Sequence, residues 1–419
     1  MIDLIVRGDE RDIAVEDGLI AGIAPEIDEP AREEIDARGL HVLPGALDAH
    51  VHFNDPGRAD WEGWASGTAA LAAGGMTACI EMPLNAHPPT VDGAAFDAKV
   101  AAATGRAAVD FALWGGLVPG DLDRLDELAA RGVVGFKAFM CDSGIEDFQA
   151  VDDEALGAGM QRAAVLGLPV AVHAERPSLL RAPRGGSWQE WAASRPPAAE
   201  LSAIERALEL AEETGCSLHV VHVSIADGVA AVAEARRRGV DATCETCPHY
   251  LVLRAADMER LGTLAKCAPP LRDEPEELWE QLEHVTLVAS DHSPCPPAMK
   301  AGGFDAAWGG IAGAQTTLPL LLGEGLRRGV PLDRLVDLVT RAPSVRFRLA
   351  GKGRLEVGAD ADLALVQVGG EHPVGELLDR HRANPFAGRR LGARVVHTLL
   401  RGRTGRHGRL LVPEKRGPE

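Results

Sequence analysis

The chain has 419 residues, enough for one large domain with a smaller one beside it. Apolar residues make up 46% of it and charged residues 25%, as in an ordinary globular enzyme. The formal net charge of −19 argues against nucleic acid or an anionic membrane as a partner, and the sequence contains no run of about 18 apolar residues that could span a bilayer.

The N-terminal residues and the cysteines indicate the cellular compartment of the protein. Met1 to Arg7 is typical of a strand and lacks the apolar core of a signal peptide. The seven cysteines are an odd number scattered over a large chain, which favours free thiols in a reducing environment. Cys244 and Cys247 have redox or zinc spacing but lie in a predicted strand, so ordinary packing is favoured. We therefore expect a cytoplasmic protein.

Both ends of the chain are predicted to form short strands. At the N-terminus the alternating segments are 3–6, 12–15, 19–23 and 39–43, with a hairpin turn at Asp17-Gly18. The same pattern returns over residues 353–366. Because neither end alone makes a sheet with a convincing core, we predict one small β-sandwich formed by residues 1–44 and 350–419.

Between the two ends, strands alternate with helices, a pattern typical of a parallel sheet. The predicted strands end near residues 52, 81, 116, 139, 173, 222, 247 and 291. Helices are predicted over 61–73, 94–103, 122–130, 153–166, 199–214, 228–238 and 275–282. Eight strands of this spacing match a closed (β/α)8 barrel, so we predict an α/β fold with a barrel over residues 45–349. The segment 183–197, rich in proline and glycine, is expected to be a loop over the barrel mouth.

Several predicted strands end on side chains that bind metal ions. His50 and His52 are two residues apart, so on a strand they point to the same side. Taken alone, such a pair is as readily explained by surface hydrogen bonds. His173, His222 and Asp291 also end strands, and a parallel barrel gathers the carboxyl ends of its strands at one face. Together with a strand-end lysine, these residues predict a site for two divalent ions.

That lysine is Lys137, at the end of another predicted strand. An ammonium group has no lone pair and cannot bind a cation. A buried lysine has a lowered pKa and becomes nucleophilic, so it could capture carbon dioxide and form a carbamate that bridges two ions. An electrostatic or Schiff-base lysine is the alternative, and the spacing alone does not decide between them.

Other histidines are expected to have structural roles. His219 lies three residues before His222, so strand alternation places it behind the barrel. His249 is expected to form a hydrogen bond within a loop, and His292 to point away from Asp291.

The segment Asp48 to Arg58, followed by Trp61-Glu62-Gly63, resembles the cyclic amidohydrolases of the amidohydrolase superfamily and, within them, the allantoinases. The resemblance covers nearly the whole chain. Its further segments are 81–85, 135–140, 244–250, 290–297, 308–310 and 358–363.

This resemblance implies a (β/α)8 barrel that holds two divalent metal ions. His50, His52 and Asp291 would bind the more buried ion, His173 and His222 would bind the other, and carboxylated Lys137 would bridge them. Zinc is the first expectation, with cobalt, manganese, iron or nickel as alternatives, and carbon dioxide is needed to carboxylate the lysine. The resemblance also implies a homotetramer.

The implied reaction is hydrolysis of a ring amide in a small neutral cyclic ureide, with allantoin opened to allantoate. Asp291 would be the catalytic proton carrier, and Asn54, Asn85 and Ser293 are the candidate substrate contacts. Dihydroorotases carry an arginine two residues after the second metal histidine, where this chain has Asn54. An uncharged amide suits a neutral substrate better than a carboxylate.

Two alternatives stay open at this point. A hydantoinase, dihydropyrimidinase or dihydroorotase-type amidase would use the same metal ligands and differ in the loops at the mouth. A non-catalytic scaffold of this fold usually lacks some of the ligands, whereas this chain has all of them. The chain departs from the family in a short segment after Arg7 and in Ile225, where a serine is common.

Overall fold

The computed structural model describes residues 1–120 and 122–415. Within these ranges the strands are β1 Ile2–Arg7, β2 Asp12–Glu16, β3 Leu19–Ala24, β4 Ala31–Asp36, β5 His41–Pro44, β6 Ala46–Val51, β7 Met76–Glu81, β8 Asp110–Leu113, β9 Gly115–Gly116, β10 Phe136–Phe139, β11 Val170–His173, β12 Leu218–Val220, β13 Ala242–Thr246, β14 Leu287–Val288, β15 Leu363–Pro373 and β16 Arg390–Leu399. The α-helices are α1 Trp64–Ala73, α2 Gly93–Ala103, α3 Asp123–Arg131, α4 Asp153–Leu166, α5 Trp188–Ser194, α6 Pro197–Thr214, α7 Ala226–Arg237, α8 Pro248–Val252, α9 Asp257–Leu261, α10 Pro275–Glu280, α11 Thr317–Arg327, α12 Leu332–Asp337 and α13 Arg341–Arg346.

Strands β6 to β14 form a closed parallel barrel. They pair in chain order as two ladders, β6-β7-β8 and β9 through β14. Backbone bonds join the ladders on one side, where Val134 donates to Leu113 (3.0 Å). On the other side the amide of His52 donates to the carbonyl of His292 (2.8 Å). The α/β barrel predicted from the sequence is therefore confirmed.

The two faces of each barrel strand have different packing partners. One set of alternate residues packs with the surrounding helices, including Phe111, Val170 and Leu218. The other set fills the lumen with small and apolar side chains such as Ala78 and Ala171. Strands buried on both faces are mostly apolar, which is why the polar residues at their ends stand out in the sequence.

The two chain ends form two small sheets that share an apolar cluster. One sheet has the order β3-β2-β1-β4 and the other β16-β15-β5. Leu4 and Ile13 of the first pack in the same cluster as Leu363 and Leu399 of the second. We propose residues 1–44 and 350–419 as the small domain and 45–349 as the barrel domain. The tail crosses this boundary, because Phe111 of β8 exchanges backbone hydrogen bonds with residues 409 and 411.

Local differences from the predicted elements have physical reasons. Strand β4 was not predicted, because its sequence is mostly charged and exposed and lacks apolar alternation. Helix α1 begins at Trp64 and not at residue 61, since Gly63 precedes it with φ of 82°. The predicted mouth loop 183–197 contains helix α5. In the described ranges, no helix has both the length and the apolar character needed to cross a bilayer.

Candidate active site

Three predicted metal ligands meet at the carboxyl end of the barrel. His50 and His52 come from the end of β6, and Asp291 follows β14. Oδ1 of Asp291 lies 3.2 Å from Nε2 of His50 and 3.4 Å from Nε2 of His52. The ligand atoms of the three residues all lie within 4.8 Å of one another, as one divalent ion would require.

A second pair of imidazoles lies beside this group. Nδ1 of His173, at the end of β11, is 2.9 Å from Nε2 of His222, just beyond β12. The rings of His50 and His222 have centroids 5.5 Å apart, so the two groups are neighbours. All five side chains line one cavity of about 70 Å³. The structure thus brings the predicted histidines and Asp291 into one site.

Lys137 lies in the same enclosure. It is fully buried at the second position of β10, and its Nζ has no hydrogen-bond partner within the described chain. Burial lowers the pKa of the Lys137 ammonium to about 7, so a large fraction of neutral amine is present near neutral pH. Its Nζ lies 4.9 Å from the centroid of the Phe139 ring, and that ring stacks on the ring of His173 at a centroid distance of 4.5 Å.

The donor set fits divalent metal ions. The Nζ of Lys137 is buried and has no hydrogen-bond partner in the described chain, and because burying an unpaired ammonium is costly, the neutral amine is favoured there. Imidazole nitrogens and carboxylate oxygens are ligands that first-row divalent ions accept. Asp291 stays ionised, since His50 and His52 hold its pKa at about 2 although burial opposes this.

Two buried glutamates orient the histidines. Oε1 of Glu245 accepts a hydrogen bond from Nδ1 of His50 (2.5 Å), and Oε2 of Glu175 accepts one from Nε2 of His173 (2.7 Å). A ring nitrogen that donates to a carboxylate carries the proton, so the other nitrogen presents its lone pair to the cavity. Burial would raise the pKa of Glu175, but the hydrogen bond from His173 and the charge of Arg195 lower it to about 2, so the carboxylate stays ionised.

Sequence reasoning missed both glutamates as functional residues. Glu175 lies two residues after His173, and Glu245 is a single acid inside the otherwise uncharged strand β13. A fully buried carboxylate on such a strand needs a partner, and this is the signal that could have found Glu245.

The prediction for His219 was wrong. Its ring is fully buried within the lumen cluster, stacks on Trp114 at a centroid distance of 6.5 Å, and donates from Nε2 to Oε2 of Glu245 (3.0 Å). Strand alternation does not extend to His222, because β12 ends at Val220 and His222 has a φ of 40°. His219 therefore supports His50 through Glu245.

His249 and His292 are also buried. His249 lies in α8 with its ring 4.2 Å from that of Tyr250. Nδ1 of His292 accepts a hydrogen bond from the amide of Ala314 (3.4 Å), and its Nε2 lies 3.9 Å from Oε2 of Glu62.

Comparison with known proteins agrees with this geometry. The model of the Amidohydrolase family matches residues 41–405. The chain belongs to the amidohydrolase family.

Several curated relatives of this amidohydrolase are named allantoinase. The protein of Rubrobacter xylanophilus is 56% identical over 99% of this chain and 98% of its own length. That of Deinococcus radiodurans is 46% identical over 98% of this chain and 99% of its own length. Among solved structures, an L-hydantoinase (dihydropyrimidinase) from Arthrobacter aurescens superposes with a TM-score of 0.94 at 35% identity, covering 98% of this chain and 100% of that one.

Two of the three candidate substrate contacts of this amidohydrolase line the cavity, and the third, Asn54, is buried behind its lining. Asn85 and Ser293 line the cavity, and Nδ2 of Asn85 is 3.3 Å from Nδ1 of His52. Asn54 is fully buried, and its amide donates to the carbonyl of Pro294 (3.4 Å), while its Oδ1 has no partner in the described part of the chain.

Four residues around the site have left-handed backbone conformations. Asn54, Asn85, His222 and Asp291 have φ values of 63°, 70°, 40° and 46°. Such conformations cost about 1–3 kcal/mol each in residues other than glycine, although asparagine and aspartate tolerate them better than histidine. Because of these conformations, the four side chains point in directions that a regular strand would not give them.

Glu245 offers a test of how the carboxylates support the ligands. Replacing Glu245 with glutamine is expected to weaken metal binding about 10–100-fold, because His50 loses a charged hydrogen-bond acceptor. Metal content after dialysis against graded chelator measures this. The exposed Glu259→Gln is the matched control, and equal metal retention in the two variants would show that Glu245 only packs.

Proposed function

We propose that this amidohydrolase hydrolyses the ring amide of allantoin and releases allantoate. The observation that carries the proposal is the near full-length similarity to allantoinases at 56% and 46% identity. It is supported by a buried cavity lined by four histidines and an aspartate, with a lysine beside them.

In this proposal the site binds two divalent ions. His50, His52 and Asp291 would hold one, His173 and His222 would hold the other, and carboxylated Lys137 would supply oxygen ligands to both. When bound, such ions lower the pKa of a water molecule and polarise a carbonyl oxygen. We propose zinc first, with cobalt, manganese, iron or nickel as alternatives that the same donor atoms accept.

Asp291 carries the proton in the proposed reaction. As the oxygen of the attacking water bonds to the ring carbonyl carbon, a carboxylate oxygen of Asp291 accepts the water proton. The carbon–nitrogen bond then breaks, and Asp291 returns the proton to the departing ring nitrogen. The low pKa of Asp291, about 2, keeps the carboxylate ionised and ready to accept at neutral pH.

Uncharged groups bind the substrate in this proposal. Asn85 and Ser293 lie in the cavity wall beside His52 and Asp291 and offer donors to a ring with carbonyl and amide groups. Asn54 lies where dihydroorotases carry an arginine, so this chain has a neutral amide where a carboxylate substrate would need a cation.

A hydantoinase or dihydropyrimidinase is the second candidate. The observation that favours it is the superposition on the Arthrobacter aurescens enzyme with a TM-score of 0.94. Hydantoin and dihydrouracil present the same ring amide without the ureido group of allantoin, so a substrate panel separates the two functions.

That panel is expected to show fastest turnover of allantoin. The protein is supplied with zinc, cobalt or manganese and bicarbonate, and then offered allantoin, hydantoin, dihydrouracil and dihydroorotate. Release of the ring-opened product is measured for each. Preference for dihydrouracil or hydantoin over allantoin would establish the second candidate, and metal-loaded protein that opens none of the four would be a scaffold. The homotetramer and the cytoplasmic location stay predictions, and sedimentation of the purified protein tests the first.

A further inference from the structure

Trp308 has a buried polar atom for which the described chain offers no acceptor. Trp308 lines the cavity with the proposed metal ligands, and its Nε1 is buried without a hydrogen-bond partner among the described residues. The indole N–H of a buried tryptophan usually finds a hydrogen-bond acceptor, and leaving it unpaired costs free energy. A bound molecule with a carbonyl oxygen would supply the acceptor.

The indole lies towards the opening of the cavity. Trp308 is half-buried, whereas His50, His52, His173 and His222 are each 4% exposed or less. Trp61, also half-buried, meets the Trp308 ring edge to face at a centroid distance of 4.9 Å. A ring bound at the histidines therefore has Trp308 within the same cavity, where a substituent of the ring can meet the indole.

Lys300 holds the backbone that carries this tryptophan. Its Nζ donates to the carbonyl oxygens of Thr263 (3.0 Å), Trp308 (3.0 Å) and Gly310 (2.6 Å), which uses all three ammonium protons on neutral oxygens. In turn, the amide of Trp308 donates to the carbonyl of Met299 (2.8 Å). The ammonium group of Lys300 therefore lies among these three carbonyl oxygens and holds the backbone on both sides of Trp308 in place.

A second lysine supports the same segment from the other side. Nζ of Lys266 donates to the carbonyl of Ala307 (2.5 Å) and lies 4.2 Å from the centroid of the Trp191 ring. The amide of Gly310 donates to the carbonyl of Lys266 (2.8 Å). The backbone of residues 307–310 is therefore held at both ends, while the indole of Trp308 has no hydrogen bond of its own among the described residues.

We propose that the indole N–H of Trp308 binds the ureido carbonyl oxygen of the substrate and that Lys300 is the residue that positions it. The inference rests on the proposed function, because the ureido group is what distinguishes allantoin from an unsubstituted hydantoin. Trp308 would thereby select among cyclic ureides that share the same ring chemistry. Lys300 acts only through the backbone of residues 308 and 310.

Trp308→Phe tests the hydrogen bond, because phenylalanine keeps an aromatic ring and removes the N–H. We expect kcat/KM for allantoin to fall about 10-fold more than kcat/KM for hydantoin, chiefly through KM. Calorimetric binding of allantoin is measured in parallel. An equal loss for both substrates would overturn the assignment.

The binding measurement separates this inference from the proposed function. A wild-type protein that binds allantoin without opening it refutes the proposed function, and the affinity ratio of allantoin to hydantoin in Trp308→Phe then still decides the role of the indole. A wild-type protein that neither binds nor opens allantoin refutes both.

Lys300→Ala tests the positioning role by chemical rescue. We expect kcat/KM for allantoin to fall about 10-fold and to recover partly when ammonium or methylammonium is added, since either cation can occupy the carbonyl oxygens. The same salts are expected to give Trp308→Phe no recovery. Lys415→Ala, at an exposed lysine near the C-terminus, is the matched control.

Metal content and thermal melting are followed in each variant. If the alanine variant does not fold, Lys300→Gln, which keeps a neutral donor, takes its place in the same assay. Wild-type kinetics in a folded Lys300 variant would overturn the positioning role, and so would a kinetic loss that no added cation relieves while metal content and melting stay unchanged.

Discussion

Replacing Lys137 with alanine is expected to remove bound metal and lower the hydrolysis rate together. The Lys137 Nζ is buried and unpaired, and its pKa of about 7 makes the neutral amine available to react with carbon dioxide. Without the carbamate, the two groups of histidines lose their common ligand. The rate should fall by at least about 100-fold, the loss that removing a supporting group of a metal site can already produce.

Three measurements distinguish the possible roles of this lysine. Metal content is determined by elemental analysis, and rates are measured with and without acetate or propionate, which could occupy the space of the carbamate. Lys137→Arg retains a positive charge but cannot be carboxylated, so an electrostatic lysine would leave that variant partly active. Full metal content and rate in Lys137→Ala would contradict the carbamate, and activity that survives in the arginine variant alone would favour the electrostatic role.

Replacing Asp291 with asparagine is expected to lower kcat by about 10²–10⁴-fold, the usual contribution of a positioned general acid or base. The side chain lies 3.2 Å and 3.4 Å from the Nε2 atoms of His50 and His52 and is 13% exposed, so it can reach both a buried ion and a substrate. Asparagine has nearly the same shape but cannot carry the proton.

Metal content must be measured in the same samples, because Asp291 is also a proposed ligand. The rate per bound metal ion then isolates the proton transfer. Asp273→Asn, at an exposed aspartate, controls for the loss of one negative charge. A variant that binds metal and turns over allantoin at the wild-type rate would exclude Asp291 as the proton carrier.

The sequence predicted the barrel because its strands are mostly apolar and several of them end on polar residues. The strand ends at His173 and Phe139 and the whole of α4 were predicted as the structure has them. Strand β4 was missed, since its pairing with β1 depends on backbone contacts between residues about 30 positions apart and not on apolar alternation.

The sequence pointed to the residues proposed as metal ligands and not to the glutamates that support them, for a physical reason. The proposed ligands other than Lys137 lie at or just beyond the ends of strands, and that repeated position is visible in the sequence. Glu175 and Glu245 are defined by which ring nitrogen they face, and this depends on how neighbouring strands pack. The error for His219 has the same origin, because the left-handed residue at His222 cannot be recognised from its neighbours.

The left-handed turns at Asn54, Asn85, His222 and Asp291 limit how this protein can adapt to heat. A glycine relieves such a conformation elsewhere, but here it would delete a side chain proposed to bind metal or substrate. The rim of the barrel therefore carries a fixed conformational cost that selection cannot remove. Thermostable variants are expected to gain their stability at the opposite end of the barrel and in the outer helices, and to keep these four residues.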